Sequence, residues 1–247
     1  MLGLPDHITA CLFDLDGVLT RTAKVHAAAW KQMFDDYLRR RAAGEGAVFV
    51  PFDPVHDYDE YVDGRPREDG VRTFLASRGI TLPEGTAEDG PDRETVHGLG
   101  TRKNGLVLRM IREQGVEAYE GSVAFVRAVR DAGLHRAVVS ASANCRDVLV
   151  AAGIEDLFEQ RVDGITVTEQ GLRGKPAPDS YLAAAKLFGV EPRNAAVFED
   201  ALAGVAAGRA GAFGFVVGVD RTGQAAELAD HGADVVVTDL SELLDRG

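Results

Sequence analysis

Short apolar runs rich in Val, Ile and Phe recur at 11–16 (CLFDLD), 135–141 (HRAVVSA), 195–200 (AAVFED), 213–219 (FGFVVGV) and 233–239 (ADVVVTD). Their core residues show no alternation of apolar and polar side chains, so each reads as a strand covered on both faces. Helical patterns fall between them: SVAFVRAVRDAG, ANCRDVLVAAG, APDSYLAAAKLFG and ALAGVAAGRAG, the first three closing on Gly133, Gly153 and Gly189. Strand followed by helix, repeated, leaves few architectures other than a parallel sheet between two layers of helices.

One long stretch departs from that rhythm. From Thr22 to Leu108 no convincing strand is found, and helical segments gather around HAAAWKQMFDDYLRR, YDEYVDGRPREDGVRTFLASRG and TRKNGLVLRMIREQG. This predicts an inserted helical domain over 22–108, with 1–21 and 109–247 forming the α/β domain. Two polar stretches containing Gly and Pro, 42–57 and 81–94, are expected as long surface loops of the insertion. No internal repeat or low-complexity tract is found.

Composition narrows the function. The 39 acidic against 27 basic side chains give a formal charge of −12, which argues against nucleic acid and anionic membranes as partners. An anionic small molecule remains possible where a cation and a few aimed Lys or Arg residues make a cleft locally positive. Cys11 and Cys145 lie among apolar or small residues and suit reduced core positions. No basic start precedes an apolar run and no segment approaches the ~20 apolar residues of a membrane span. A cytoplasmic location follows as the expectation.

The chemistry gathers at strand ends. In DLDGVLT (14–20) Asp14 and Asp16 close the first strand, two positions apart and so on one side, and Gly17 permits a sharp turn. Carboxylates paired at the carboxyl edge of an open α/β sheet hold a hard cation or divide nucleophile and acid/base roles; an isolated DxDG is also met as a solvated turn. Glu199 and Asp200 end another strand in FEDALAGVAAG, where small residues allow close helix packing. Alone, such a pair more often decorates a helix start, but a second acidic pair at the same edge completes a cation site. Ser140, Ser142 and Asn144 stand where a strand meets a helix, as anion donors or as plain caps. Lys175, in GKPAPD, precedes two prolines that stiffen its loop and can neutralise both phosphoryl oxygens and crowded carboxylates.

In order and spacing, DLDGVLT, a strand-terminal Ser, KPAPD and FEDALAGVAAG resemble the four motifs of the haloacid dehalogenase superfamily. Within it, VLTRTAKVHAAAW, VDGRPREDGVRTFL, RKN and the SAS of 140–142 look like the β-phosphoglucomutase subfamily. The resemblance implies a Rossmann-like core with an α-helical cap. It also implies a magnesium ion held by Asp14, the Asp16 carbonyl, Glu199 and Asp200. Asp14 would be the nucleophile, Asp16 the acid/base, and Ser140 and Lys175 would steady the phosphoryl group. In the cap, Arg67 would take the non-reacting phosphate and His26 would couple cap closure to Asp16. Trp30, Arg65, Lys103 and Asn104 would shape the lid, although Trp30 suits a core as well, and His26, Arg65 and Lys103 suit a helix surface. Three positions depart from the subfamily pattern: Arg21 replaces an acidic residue, Ala143 a common Lys, and Asp63 stands where a basic residue can occur.

Two activities remain open under that resemblance. One is a mutase converting β-glucose 1-phosphate to glucose 6-phosphate, with glucose 1,6-bisphosphate as intermediate and candidate activator. The other is a phosphatase of small sugar phosphates. A non-catalytic phosphometabolite-binding module is the third reading, opposed by the presence of Asp14, Asp16 and Lys175 together. A monomer is expected.

Overall fold

The computed structural model describes residues 2–246. Among them six strands form one sheet: β1 (Ala10–Phe13), β2 (His135–Val139), β3 (Gln160–Val162), β4 (Ala195–Glu199), β5 (Phe215–Val219) and β6 (Val235–Val237). The order is β3-β2-β1-β4-β5-β6 and every neighbouring pair is parallel. The order reverses direction at β1, so a crevice opens at the carboxyl ends of β1 and β4, where an open α/β sheet binds its ligands. Register levels those ends, with Phe13 opposite Val138 on one side and Phe198 on the other.

Both faces of β1 are buried, which is why its sequence shows no alternation. One face carries Phe13, stacked on Phe198 at 4.4 Å and edge-on to Phe125 at 6.3 Å. Phe125 belongs to the helix Glu120–Asp131. The other face packs Ala10, Leu12, Val139 and Val197 against Tyr181 and Val205, from the helices Asp179–Leu187 and Leu202–Ala210. The second of these helices lies close to the sheet at Gly208, where a Cβ would come within 3.1 Å of Val216.

The chain divides into two compact units. The first comprises residues up to Arg21, 64–66 and Val116 onward; the second comprises Thr22–Asp63 and Arg67–Gly115. The second unit is helical: α1 (Ala23–Glu45), α2 (His56–Tyr61), α3 (Arg67–Ser77) and α4 (Val96–Gln114). Its core is aromatic, with Phe34 4.2 Å from Phe74, 5.2 Å from Trp30 and 5.4 Å from Phe52 between ring centroids. Charged groups tie its two long connections to the helices. Buried Asp35 on α1 accepts from the Phe52 amide at 2.8 Å, and Lys31, one turn earlier, donates to the Phe52 carbonyl at 2.8 Å. Arg72 on α3 binds Asp69 and Glu84, and Arg102 on α4 donates to the Pro91 carbonyl at 2.7 Å.

Five expectations need correction. The boundary after Leu108 falls inside α4, and the second unit runs on to Gly115 because an unbroken helix cannot change units midway. The helical segment from Tyr58 is broken into α2 and α3 between Val62 and Pro66, where Gly64 adopts φ +66° and Pro66 has no amide hydrogen to donate. Residues 42–45 of the first expected loop are the last turn of α1. The first strand stops at Phe13, so Asp14 and Asp16 lie beyond it rather than in its pleat. The edge strand β3 has no strand signal in the sequence, because Gln160 is exposed and Arg161 half-buried, which leaves its three residues without an apolar run.

Among the described residues no helix is long and apolar enough to cross a membrane. Phe34 touches three rings at once, so Phe34→Ala should cost about 3–5 kcal/mol of stability, read as a lower urea midpoint.

Candidate active site

The site begins with a lysine surrounded by carboxylates. Lys175 Nζ lies 2.5 Å from Asp14 Oδ1 and 2.5 Å from Glu199 Oε1, and donates to the Val139 carbonyl at 3.1 Å. It thus joins the ends of β1, β2 and β4. Glu199 is fully buried and Lys175 and Asp14 nearly so. Burial works against the ammonium, but the charges of Asp14 and Glu199 outweigh it and hold the lysine pKa above its ordinary value. Burial also pushes the Asp14 carboxyl up, and Lys175 is the cation that opposes this.

Asp14 is aligned by its amide, which donates to the Phe198 carbonyl at 2.9 Å and extends the β1–β4 pairing. The chain then turns back, Gly17 donating to the Thr20 carbonyl at 2.8 Å. Gly17 is required here twice: its φ is +84°, and a Cβ would lie 1.6 Å from Asp200 Oδ2. Gly204 plays the same part beside Glu199, where a Cβ would lie 1.8 Å from Oε1. The two acidic strand ends therefore approach closely only because glycine faces each of them.

Carboxylate oxygens of Asp14, Glu199 and Asp200 lie within 4.8 Å of one another. Three hard oxygen donors gathered this closely fit a divalent cation such as magnesium. The Asp16 carboxylate is outside this cluster, and its residue bridges to Thr20.

Ser140 follows β2 and is 3% exposed; its Oγ accepts from the Ser142 amide at 3.1 Å, and Ser142 Oγ accepts from the Asn144 amide at 3.2 Å. These residues shape the turn into the helix Cys145–Ala151, and Asn144, buried, does not cap that helix with its side chain. The Lys175 loop is closed by Arg173, whose amide and Nε donate to Asp179 Oδ2 at 3.1 and 3.0 Å.

In the second unit His26, Trp30 and Lys103 are brought together. Buried Lys103 donates to His26 Nδ1 at 3.0 Å and sits 4.8 Å from the Trp30 ring centroid. Trp30, expected to shape a lid, is 3% exposed and belongs to the aromatic core, where its face carries Lys103. Asn104 is half-buried beside it. Arg67 opens α3 and pairs with its neighbour Glu68 at 3.0 Å. Arg65 falls with the first unit, in the segment whose Gly64 and Pro66 pack beside Ala201 and Gly174. Of the departures, Arg21 pairs with Glu117 at 3.0 Å and lies over the Tyr119 ring. The Asp63 amide donates to the Tyr58 carbonyl at 3.0 Å.

Three supporting residues carry no motif in the sequence. Tyr181 donates to Glu199 Oε1 at 2.7 Å. Arg221 donates to the Gly17 carbonyl at 2.8 Å, and Gln224 to the Asp200 carbonyl at 3.1 Å. Both come from the turn after β5, where Asp220 Oδ1 accepts from the amides of 222, 223 and 224. The only signal was position, since DRTGQ is a polar loop at the carboxyl edge of the sheet.

The fold and site define a class. The model of the haloacid dehalogenase-like hydrolases matches residues 8–211, and the chain belongs to that enzyme family. Within it several relatives are named β-phosphoglucomutase. The chain is 59% identical over 247 residues to a β-phosphoglucomutase of Mycobacterium bovis, covering 99% of this chain and 94% of that one. It resembles the structure of β-phosphoglucomutase from Clostridium difficile with TM-score 0.74 and 26% identity, over 96% and 93% of the two chains. A haloacid dehalogenase family hydrolase from Deinococcus radiodurans, solved with bound phosphate and sodium, is 31% identical with TM-score 0.63, over 97% and 94%.

Removing the central cation should expose the cost of the cluster. Lys175→Met should lose about 3–5 kcal/mol of stability in urea unfolding, because two buried carboxylates lose their partner. That deficit should grow as pH rises from about 4 toward neutrality: the unfolded chain then releases a proton that the buried Asp14 carboxyl, no longer opposed by Lys175, retains in the variant.

Proposed function

We propose that this chain is a magnesium-dependent phosphotransferase that converts β-glucose 1-phosphate to glucose 6-phosphate through glucose 1,6-bisphosphate. What carries the reading is the Asp14, Glu199 and Asp200 cluster bridged by Lys175, in a chain 59% identical to a mycobacterial β-phosphoglucomutase. Magnesium would be held by Asp14, Glu199, Asp200 and the Asp16 carbonyl, and when bound supplies positive charge against the phosphoryl oxygens.

The remaining steps belong to the chain's own residues. A carboxylate oxygen of Asp14 attacks phosphorus in line, the bond from phosphorus to the sugar oxygen breaks, and Asp16 gives that oxygen its proton. In the return step a second sugar hydroxyl attacks the aspartyl phosphate, Asp16 takes the hydroxyl proton and Asp14 is regenerated. Lys175 and Ser140 steady the transferring group, with Ser142 and Asn144 shaping the loop that holds Ser140. Phosphoryl transfer is chiefly positioning and charge stabilisation, which suits a site whose carboxylates are held this rigidly. Glucose 1,6-bisphosphate also serves as the activator that first phosphorylates Asp14. Arg65, Arg67, Lys103, Asn104 and His26 supply sugar and distal-phosphate recognition. A cytoplasmic monomer is the form in which we expect it to act.

A second reading, hydrolysis of a small sugar phosphate, is favoured by the likeness to the Deinococcus hydrolase with its bound phosphate. It differs only in the acceptor: water replaces the sugar hydroxyl at Asp14.

Incubation of the chain with β-glucose 1-phosphate, magnesium and a trace of glucose 1,6-bisphosphate, followed by NMR, separates the two. Glucose 6-phosphate is the expected product, and inorganic phosphate without isomerisation would establish the hydrolase instead. Asp14→Asn should abolish turnover, and near-normal activity in it would refute the nucleophile. Asp16→Asn should lower turnover by about 10²- to 10⁴-fold.

A further inference from the structure

Tyr181 is fully buried on the helix Asp179–Leu187, its ring edge-on to Phe213 at 6.0 Å and part of the core beneath the sheet. That packing needs a ring and no hydroxyl. Yet the phenol is present, and its proton goes to Glu199 Oε1 at 2.7 Å, a carboxylate rather than a backbone carbonyl. The same Oε1 lies 2.5 Å from Lys175 Nζ, while Oε2 accepts the longer 3.2 Å bond from the Ala201 amide. Gly204 walls the carboxylate on another side, with no room there for a Cβ.

We infer that Tyr181 is a positioning residue for Glu199: its hydroxyl shares Oε1 with Lys175 and fixes the orientation in which the carboxylate meets a divalent cation. The inference rests on the metal reading of the site given above. Without the hydroxyl, Lys175 alone would hold Oε1. The three N–H donors of Lys175 are already divided among Asp14, Glu199 and the Val139 carbonyl, so they cannot replace the lost bond and Glu199 would be held less firmly in its rotamer. Hydrogen-bond partners of metal ligands typically contribute about 10- to 100-fold in metal affinity.

The test is magnesium titration of the metal-stripped full chain by calorimetry, without substrate, for the natural chain, Tyr181→Phe and Phe213→Leu. Tyr181→Phe should bind magnesium about 10-fold more weakly. Its melting temperature in EDTA should fall by only about 2–4 °C, as the loss of one hydrogen bond entails. Phe213→Leu disturbs the same ring without touching the hydroxyl, and should lower the melting temperature while leaving magnesium affinity alone. Unchanged affinity in Tyr181→Phe, an equal loss in Phe213→Leu, or loss of the fold of Tyr181→Phe in EDTA would each overturn the inference. If the natural chain binds no magnesium, the metal reading falls with it; if it binds and Tyr181→Phe binds equally, only the role of Tyr181 falls.

Discussion

A single buried ammonium organises the first unit. Lys175 touches Asp14, Glu199 and the Val139 carbonyl, one group at the carboxyl end of each of the adjacent strands β1, β4 and β2. Two carboxylates this close, shielded from water, repel each other and resist ionisation unless a cation lies between them. The arrangement therefore demands that β1, β2 and β4 end level, that the Lys175 loop be rigid, and that the sheet beneath not yield. Each demand is met locally: by parallel register, by the Arg173–Asp179 closure, and by the stacked Phe13 and Phe198 on one face with Tyr181 and Val205 on the other.

Small residues do the complementary work. Gly17 and Gly204 leave out the Cβ atoms that would displace Asp200 and Glu199. Where side chains are absent, backbone must be held by something else, and the turn after β5 does so: Arg221 and Gln224 bind the carbonyls of Gly17 and Asp200. Arg221 also lies over Tyr119, at 3.6 Å from its ring centroid, and Tyr119 is paired through its amide with Leu19. The loops that carry the acids are thus fixed from outside the motifs that name them.

The second unit solves a different problem, that of holding long connections without strands. Its aromatic core is compact, and the connections are tied down by charged side chains reaching backbone groups, Lys31 and Asp35 at Phe52 and Arg102 at Pro91. The Lys103–His26 pair is held against that core through Trp30, which explains why a residue expected at a lid is also a packing residue.

The parallel sheet, the helical insertion and the clustered residues Asp14, Lys175, Glu199 and Asp200 are legible in the sequence. Apolar runs without alternation reveal strands buried on two faces, and the acids fall at the ends of those runs. The edge strand β3 was not legible, because a strand half in water carries no such run. Nor was the end of the insertion within α4, since helical periodicity passes through it, whereas Gly64 and Pro66 are helix breakers that the sequence does display. Tyr181, Arg221 and Gln224 could be assigned to Glu199, Gly17 and Asp200 only by the tertiary structure. Their partners lie 18, 204 and 24 residues away, and which distant groups share a hydrogen bond is decided by packing, of which local sequence holds no record.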